Sequence, residues 1–202
     1  MADSNYRVMY RRDENPFGKT WEEWTAKWWQ WILSIPKERN PGIDATGIKF
    51  DANQKDPNVL FLVGTYGGYA ERNYTIPTGK ALLFPIVNFT TSYAEEPALN
   101  TESELISRAK SDIDDIVNKE ATIDGVGLHG VNEYRVASLP FDLTLPENNV
   151  FGLEAGPTRA ISDGYWVFLK PLTPGKHEIH AAGSCSSGKT TVDITFHLTV
   201  NE

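Results

Sequence analysis

The last segment of the chain, TTVDITFHLTV, places an apolar side chain at every second position from Val192 to Val200. An alternation of period two is typical of a strand with one buried face and one solvated face, and it does not fit an amphipathic helix. Further strand-like apolar runs occur in VLFLVGTYGG, ALLFPIVNFTT, YWVFLKPL and KHEIHAAG. The sequence therefore predicts a mainly β fold, and we expect an antiparallel β-sandwich of the immunoglobulin-like or jelly-roll-like type.

Two segments interrupt the strand pattern and predict helices that decorate the sandwich. The sequence TWEE is a capping box, and the tryptophans that follow recur at three- and four-residue steps, which predicts a helix at about residues 20–35. A second capping box, TESE, precedes an apolar stripe and predicts a helix at about residues 101–119. We expect one domain over residues 20–202, after a polar N-terminal extension at residues 1–19.

The segment GSCSSGKT, at residues Gly183–Thr190, matches the pattern of a nucleotide-binding phosphate loop. Such a loop holds phosphate because a helix follows it, and the first N–H groups of that helix meet the anion. Here the alternating segment follows, so we expect a hairpin connection and no nucleotide at Gly183–Thr190. Cys185 and Lys189 lie in this connection, and we expect both side chains to be exposed to solvent.

The charge of the chain excludes some classes of partner. The formal net charge is −8, and the basic residues form no stripe, so we expect no binding to nucleic acid or to an anionic membrane surface. No apolar run approaches the roughly 20 residues of a membrane-spanning helix. The N-terminal region lacks the apolar segment of a signal peptide, so we expect a cytoplasmic protein, or an extracytoplasmic one if a leader has been removed.

The histidines do not predict a metal centre. The pair in HEIH, His177 and His180, has a spacing that is also found in metal sites, but positions three apart on a strand lie on opposite faces. We expect His180 to lie opposite Asp193 as a solvated charge pair on the outer face of the last hairpin. The sequence therefore predicts no metal site and no cofactor.

An enzyme is one of the functions that the sequence leaves open. Side chains suited to acid–base chemistry stand beside turns and strand ends: Asp124, His129, Glu133 and Arg135, with Arg72 to hold an anionic group. A hydrolase or lyase needs these groups in one pocket. Nothing in their spacing shows that they converge, so catalysis remains an alternative.

Aromatic side chains favour a noncatalytic binding module for a glycan or a small molecule. Tyr66 and Tyr69 lie in a glycine-rich loop where we expect exposed, mobile rings, and loops on a rigid scaffold often carry function. The expected contact surface consists of Trp28, Trp29, Tyr66, Tyr69, Arg72 and Trp166. Two alternatives stay open: the same rings pack the helices onto the sandwich, or the protein is a self-associating surface or structural component.

Several blocks of the sequence resemble a family of uncharacterised, often exported microbial proteins. The blocks are W-x-x-W-x-x-K-W-W-x-W, NPGIDATG, FLVGTYGG, IPTGKALLFPIVN and SDGYWVFLKPLTPGKHEIHAAG. The resemblance extends from about Trp21 to the C-terminus, and SDGYW…PGKHEIH is its most distinctive part. It implies a single β-rich domain in an extracytoplasmic location, and it supplies no catalytic residues.

Overall fold

Ten strands and the two helices predicted from the sequence occur in the part of the chain that the computed structural model describes, residues 8–44, 47–186, 188 and 190–202. The strands are β1 (Val59–Phe61), β2 (Gly68–Ile76), β3 (Ala81–Ser92), β4 (Ile116–Ile123), β5 (Val126–Gly127), β6 (Arg135–Ala137), β7 (Phe141–Leu145), β8 (Gly156–Leu169), β9 (Gly175–Cys185) and β10 (Thr191–Val200). The helices are α1 (Trp21–Leu33) and α2 (Glu102–Asp114). The protein is therefore mainly β, as the sequence predicts.

The strands form two sheets, and both sheets are mixed. The strand order is β1–β3–β8–β6 in the first sheet, where β7 also pairs with β8, and β2–β10–β9–β4–β5 in the second. The pairs β1–β3 and β2–β10 are parallel, and the other pairs are antiparallel. The expectation of purely antiparallel sheets is therefore wrong. The chain leaves the first sheet after β1, runs through β2 in the second sheet, and returns so that β3 lies parallel to β1. The immunoglobulin-like or jelly-roll-like type stays a prediction.

The two sheets contact each other through β3 of the first and through β9 and β10 of the second. The ring centroids of Phe84 and Phe196 lie 5.9 Å apart. A β-carbon added to Gly183 would lie 2.9 Å from Cβ of Val87. The first glycine of GSCSSGKT therefore allows the strands of the two sheets to approach each other closely.

The hairpin of β9 and β10 follows the predicted arrangement, since β10 begins at Thr191, directly after GSCSSGKT. Cys185 is buried, and its Sγ accepts a hydrogen bond from the backbone N–H of Thr190 at 3.0 Å. The expectation of an exposed thiol is wrong because Cys185 continues the inward-facing alternation of β9 that begins at Ile179. Lys189 lies outside the described residues.

Helix α1 begins at the predicted capping box. Thr20 Oγ1 accepts from the backbone N–H of Glu23 at 3.3 Å, and a carboxylate oxygen of Glu23 accepts from the N–H of Thr20 at 2.8 Å. The helix ends at Leu33, and the buried side chain of Asn40 donates to the carbonyl oxygen of Ile32 in its last turn. The helix contacts β6, β7 and β8, so the tryptophan stripe covers the first sheet.

Helix α2 also begins at its predicted capping box, but it is shorter than the sequence predicts. It ends at Asp114, and residues 116–119, expected to be helical, belong to β4. Ile116 pairs with Cys185 of β9. This long-range pairing, supported by the β-branched Ile116 and Val117, overrides the local helical pattern. Among the described residues, no helix has the length and apolar character needed to cross a membrane.

The described part of the expected N-terminal extension lies against the first sheet. Met9 forms an antiparallel bridge with Leu169, and the backbone N–H of Tyr10 donates to the carbonyl oxygen of Phe168 at 2.9 Å. The side chain of Met9 belongs to the main buried core. Residues 8–10 therefore add to the edge of the sheet near the end of β8.

Candidate ligand-binding site

A cavity of about 210 Å³ lies between the two sheets beside α1. Its walls come from α1, β3, β10 and the loop that follows β1. Most of the lining is aromatic or aliphatic, with Trp28 and Trp29 from the helix, Phe89 from the first sheet and Ile194 from the second. The cavity therefore lies where the tryptophan-rich helix meets both sheets.

The wall formed by β3 contains an irregularity beside Pro85. The register of β3 against β8 shifts between Pro85 and Val87, which makes Ile86 the additional residue of a β-bulge. Proline has no backbone N–H to donate, and bulges are among the places in a sheet where it occurs; Pro85 itself lies opposite Trp166. Bulges redirect the side chains that follow them, and Asn88, two residues beyond Ile86, lines the cavity.

A glycine on the neighbouring strand sets the position of Asn88. Asn88 lies directly opposite Gly164 of β8. A β-carbon added to Gly164 would lie 2.5 Å from Cβ of Asn88 and 2.8 Å from its Cα. Any side chain at position 164 would therefore push the backbone of β3 away. This close approach explains the glycine of the SDGYW block in structural terms.

The indole N–H groups of α1 differ in whether they have a hydrogen-bond acceptor. Four of the five tryptophans donate to backbone oxygens at 2.7 to 3.1 Å: Trp21 to Arg11, Trp24 to Pro16, Trp28 to Leu62 and Trp31 to Ala52. Trp29 Nε1 is buried and has no hydrogen-bond acceptor among the described residues. The side chain of Trp29 lines the cavity, and the residue is only 4% exposed.

A second buried donor, on another residue that lines the cavity, also lacks an acceptor. The side-chain Nδ2 of Asn88 is buried and makes no hydrogen bond within the described part of the chain. A buried donor left without a partner costs about 1–3 kcal/mol, and buried polar groups in native proteins are normally satisfied. Both atoms expose less than 1 Å² of surface, so they lie behind the wall of the cavity.

Glu95 is the acidic side chain among the described lining residues. Burial raises the pKa of its carboxyl group from the ordinary 4.5 to about 7. The hydroxyl of Ser92 donates to the carboxylate at 2.8 Å and opposes this change, the charge of Glu96 adds to it, and Arg108 opposes it. A large fraction of Glu95 is therefore protonated and uncharged at neutral pH.

Tyr66 forms the outer wall of the cavity. Its hydroxyl donates to Asn40 Oδ1 at 3.3 Å, and burial of the hydroxyl raises the pKa of Tyr66. The ring lies against Gly42, where an added β-carbon would be 2.6 Å from a ring carbon, and edge-on to Phe151. The residue as a whole is 39% exposed. The ring expected to be exposed and mobile is therefore only partly exposed, and its hydroxyl is buried.

Two tryptophans of the expected contact surface lie at different depths. Trp28 lines the cavity together with Trp29 and Tyr66. Trp166 is fully buried, and its ring meets that of Trp28 edge-to-face with centroids 5.5 Å apart. Trp166 therefore supports the cavity wall from behind, in agreement with the packing alternative.

The two remaining residues of the expected contact surface do not line the cavity. Arg72 is buried and donates through Nη2 to the carbonyl oxygen of Gly64 at 3.0 Å, so it holds the loop that forms part of the wall. Tyr69 is 67% exposed, and its hydroxyl donates to Glu71 at 2.9 Å. Arg72 and Tyr69 were expected in the same contact surface as Tyr66 because they lie close to it in the sequence.

Two of the candidate catalytic residues are engaged in pairs on different sheets. Asp124, in the turn between β4 and β5, accepts from His177 Nδ1 at 2.8 Å. Arg135, on β6 of the first sheet, donates to Asp163 at 2.6 Å and to Asp114 at 2.7 Å. Asp124 and His177 line one surface groove, and Arg135 and Asp163 line another.

The other two candidate catalytic residues, His129 and Glu133, lie between Asp124 and Arg135 in the sequence. Glu133 belongs to a short 3-10 turn, Val131–Tyr134, and His129 precedes it. Neither lines the cavity beside α1. The hydrolase or lyase interpretation therefore stays a prediction.

The histidine pair in HEIH forms separate contacts. His180 Nε2 lies 3.0 Å from an oxygen of Asp193, so the expected charge pair is present. The pairing register places Thr195 opposite His180, a shift of two residues that keeps the same face. Among the described residues, no group of three or more His, Cys, Asp or Glu side chains is placed to hold a metal ion.

Asn88 and Glu95 were not identified from the sequence as site residues. The signal for Asn88 was indirect, since Pro85 predicts the bulge but not which side chain the bulge directs into a cavity. Glu95 lies in an acidic segment, and its burial depends on packing between β3 and distant strands. No local pattern distinguishes it from the exposed acids that follow.

No protein-family model matches the sequence, and no curated protein matches it. Weak likenesses to solved structures exist. A chain in a structure of PbICP-C in complex with falcipain-2 has a TM-score of 0.29 and 12% identity, over 71% of this chain and 99% of that one. The cysteine protease inhibitor EhICP2 from Entamoeba histolytica has a TM-score of 0.25 and 14% identity, over 71% and 95%. Amebosin has a TM-score of 0.22 and 10% identity, over 72% and 100%. At these TM-scores, the likenesses carry no argument about this chain.

Proposed function

We propose that this protein is a noncatalytic binding module that takes a small, mostly apolar molecule into the cavity between its sheets. The observation that carries the proposal is a cavity of about 210 Å³ with mostly aromatic and aliphatic walls, to which Asn88 and Glu95 contribute polar side chains. Small-molecule sites usually combine apolar walls with a few polar groups that orient the ligand.

The volume of the cavity sets the size of the ligand. An apolar cavity of about 150 Å³ takes up benzene, so a cavity of about 210 Å³ has room for one ring with a short substituent. A glycan, the other ligand class expected from the sequence, is less suited because each buried sugar hydroxyl needs a polar partner. The mostly apolar walls therefore favour the small molecule.

Calorimetric titration with substituted benzenes tests the proposal, together with two matched variants. Val192 lines the cavity, so Val192→Phe should fill part of it and weaken binding at least about fivefold, because the ligand loses contact area. Val117→Phe adds the same ring at an exposed position of β4 and should leave the affinity unchanged. A folded wild-type protein that binds none of these compounds, or equal losses in both variants, would contradict the proposal.

The other interpretations stay predictions. For the hydrolase or lyase, Asp124 and Arg135 are each engaged with a partner in separate grooves of the described residues. Self-association, the family resemblance and an extracytoplasmic location likewise stay predictions, and size-exclusion chromatography would test the first of these.

A further inference from the structure

Resting on the function proposed above, we propose that the ligand is a small aromatic or branched aliphatic amine, bound as its ammonium ion, with the carboxylate of Glu95 as its counter-charge in the cavity. Three observations support this ligand class. They are the charge of the lining, the partners of the Glu95 carboxylate, and the kind of polar atom that Asn88 leaves open.

The charge of the lining favours a cation. Among the described residues that line the cavity, Glu95 is the one acidic side chain, and no Lys, Arg or His occurs. Aromatic rings, such as those of Trp28 and Phe89 in the same walls, attract a cation over their faces. A carboxylate ligand would meet Glu95 without a counter-charge, and burial of an unpaired charge is very costly. An ammonium ion therefore suits these walls better than an anion.

The carboxylate of Glu95 has no basic partner within the described part of the protein. The hydroxyl of Ser92 donates to one of its oxygens at 2.8 Å. Arg108 acts on Glu95 through its charge, but its Nε donates to Glu96 at 3.0 Å and its guanidinium also pairs with Asp112. Glutamates are rarely buried unless they are paired. A ligand ammonium group would supply the positive charge that Glu95 lacks.

The polar atom that Asn88 leaves open is also an acceptor. Its Oδ1 accepts no hydrogen bond from the described residues and, in contrast to its Nδ2, is not enclosed by the wall. An ammonium group offers three donors and no acceptor. The walls therefore present acceptors to a ligand that consists of donors and an apolar body, with the carboxylate of Glu95 as the strongest of them.

Four probes of one size test the ligand class by calorimetric titration at about pH 8, where a Glu95 carboxyl group with a pKa of about 7 is mostly ionised. The probes 1-phenylethylamine, 1-phenylethanol and cumene differ only in an ammonium, hydroxyl or methyl group. Benzoate has the same number of non-hydrogen atoms and a negative charge. We expect the wild-type protein to bind the amine about tenfold more tightly than the alcohol, because a charge-assisted hydrogen bond is stronger than a neutral one. Benzoate should bind most weakly.

Two variants locate the effect at Glu95. Glu95→Gln keeps the shape of the side chain and removes its charge, so it should weaken binding of the amine about tenfold and change cumene binding less than about twofold. The matched control is Glu120→Gln, which removes the same charge from an exposed position outside the cavity. This variant should change both affinities less than about twofold.

The pH dependence of the wild type adds a test that needs no substitution. The charged side chains that act on Glu95 are Glu96 and Arg108, and hydrogen bonds to Glu96 and to Asp112 raise the pKa of Arg108, which therefore stays charged. Only ionised Glu95 pairs with an ammonium ion. The affinity for the amine should therefore rise roughly tenfold from about pH 6 to about pH 8, as the ionised fraction does. Cumene binding should not rise, and Glu95→Gln should abolish the rise for the amine.

The outcomes distinguish this inference from the function on which it rests. Equal affinities for the amine and the alcohol, tighter binding of benzoate, or an amine affinity that Glu95→Gln leaves unchanged would overturn the inference, while binding of cumene would leave the proposed function standing. Failure of all four probes to bind overturns the proposed function and this inference with it.

Discussion

The unsatisfied indole of Trp29 has a direct consequence for stability. Trp28 and Trp29 are neighbours on α1, both line the cavity, and they are 2% and 4% exposed. The substitutions Trp28→Phe and Trp29→Phe remove the same atoms from both side chains. They differ in the hydrogen bond, because only Trp28 Nε1 has a partner, the carbonyl oxygen of Leu62 at 3.0 Å.

The magnitude follows from this difference. Trp28→Phe leaves the Leu62 oxygen without the indole donor, which costs about 1–3 kcal/mol. Trp29→Phe removes a buried donor that no described residue satisfies, so it forfeits no protein hydrogen bond and relieves an unfavourable burial of similar size. The loss of ring volume is common to both variants and cancels in the comparison. We expect the free energy of unfolding of Trp29→Phe to exceed that of Trp28→Phe by roughly 2–4 kcal/mol.

Urea denaturation followed by far-UV circular dichroism measures this difference, provided that the two variants and the wild type unfold with the same m-value. Trp31→Phe is a second reference, because its indole donates to Ala52 at 2.7 Å and it should behave like Trp28→Phe. If Trp29→Phe is destabilised as much as Trp28→Phe, within about 0.5 kcal/mol, then the Trp29 N–H is satisfied in the folded protein and the reasoning about this buried donor fails.

Three further predictions concern a close approach and two shifted pKa values. Gly164→Ala should destabilise the protein by about 1–3 kcal/mol in urea denaturation, because its β-carbon would meet the backbone of β3. The control is Gly127→Ala, whose added β-carbon has no atom within 4 Å and which should change stability by less than about 0.5 kcal/mol. The raised pKa of Glu95 gives the wild type a contribution to stability that is complete below pH 4.5 and is lost as the pH rises through about 7. Glu95→Gln should abolish that loss. The free energy of unfolding of the wild type should therefore fall by roughly 1–3 kcal/mol more than that of the variant over this pH range. Burial lowers the pKa of His177, but hydrogen bonds to Asp124 and to a backbone carbonyl outweigh burial and raise it; Asp124→Asn should therefore lower the pKa of His177 in an NMR titration, and an unchanged value would contradict this account.

Local patterns predicted the elements of this fold where the decisive interactions are local. Both capping boxes begin helices at the expected residues, since the two bonds of each box join side chain and backbone three residues apart. The end of α2 was mispredicted because Ile116 pairs with Cys185, a partner far along the chain. The parallel pairs were missed for the same reason: β2 lies beside β10, and no local pattern records which distant strand is the neighbour.

The cavity was harder to predict from the sequence than the fold. Trp28, Trp29 and Tyr66 were expected in a contact surface and do line the cavity, because large aromatic rings near a glycine-rich loop are a signal that sequence alone provides. The burial of Cys185 and the satisfied or unsatisfied state of each indole depend on which carbonyl oxygen lies nearby in three dimensions. Sequence alone cannot distinguish Trp28, which has Leu62 as its acceptor, from its neighbour Trp29.

The comparison of Trp29→Phe with Trp28→Phe separates two states of the Trp29 N–H. A donor buried without a partner reduces stability whether or not it has a use. If nothing reaches this N–H in the folded protein, Trp29→Phe loses only ring volume and should be less destabilised than Trp28→Phe. If water or a ligand reaches the N–H through the cavity, the N–H is satisfied and the two variants should be destabilised equally. The comparison therefore shows whether the indole N–H faces the cavity or lies behind its wall.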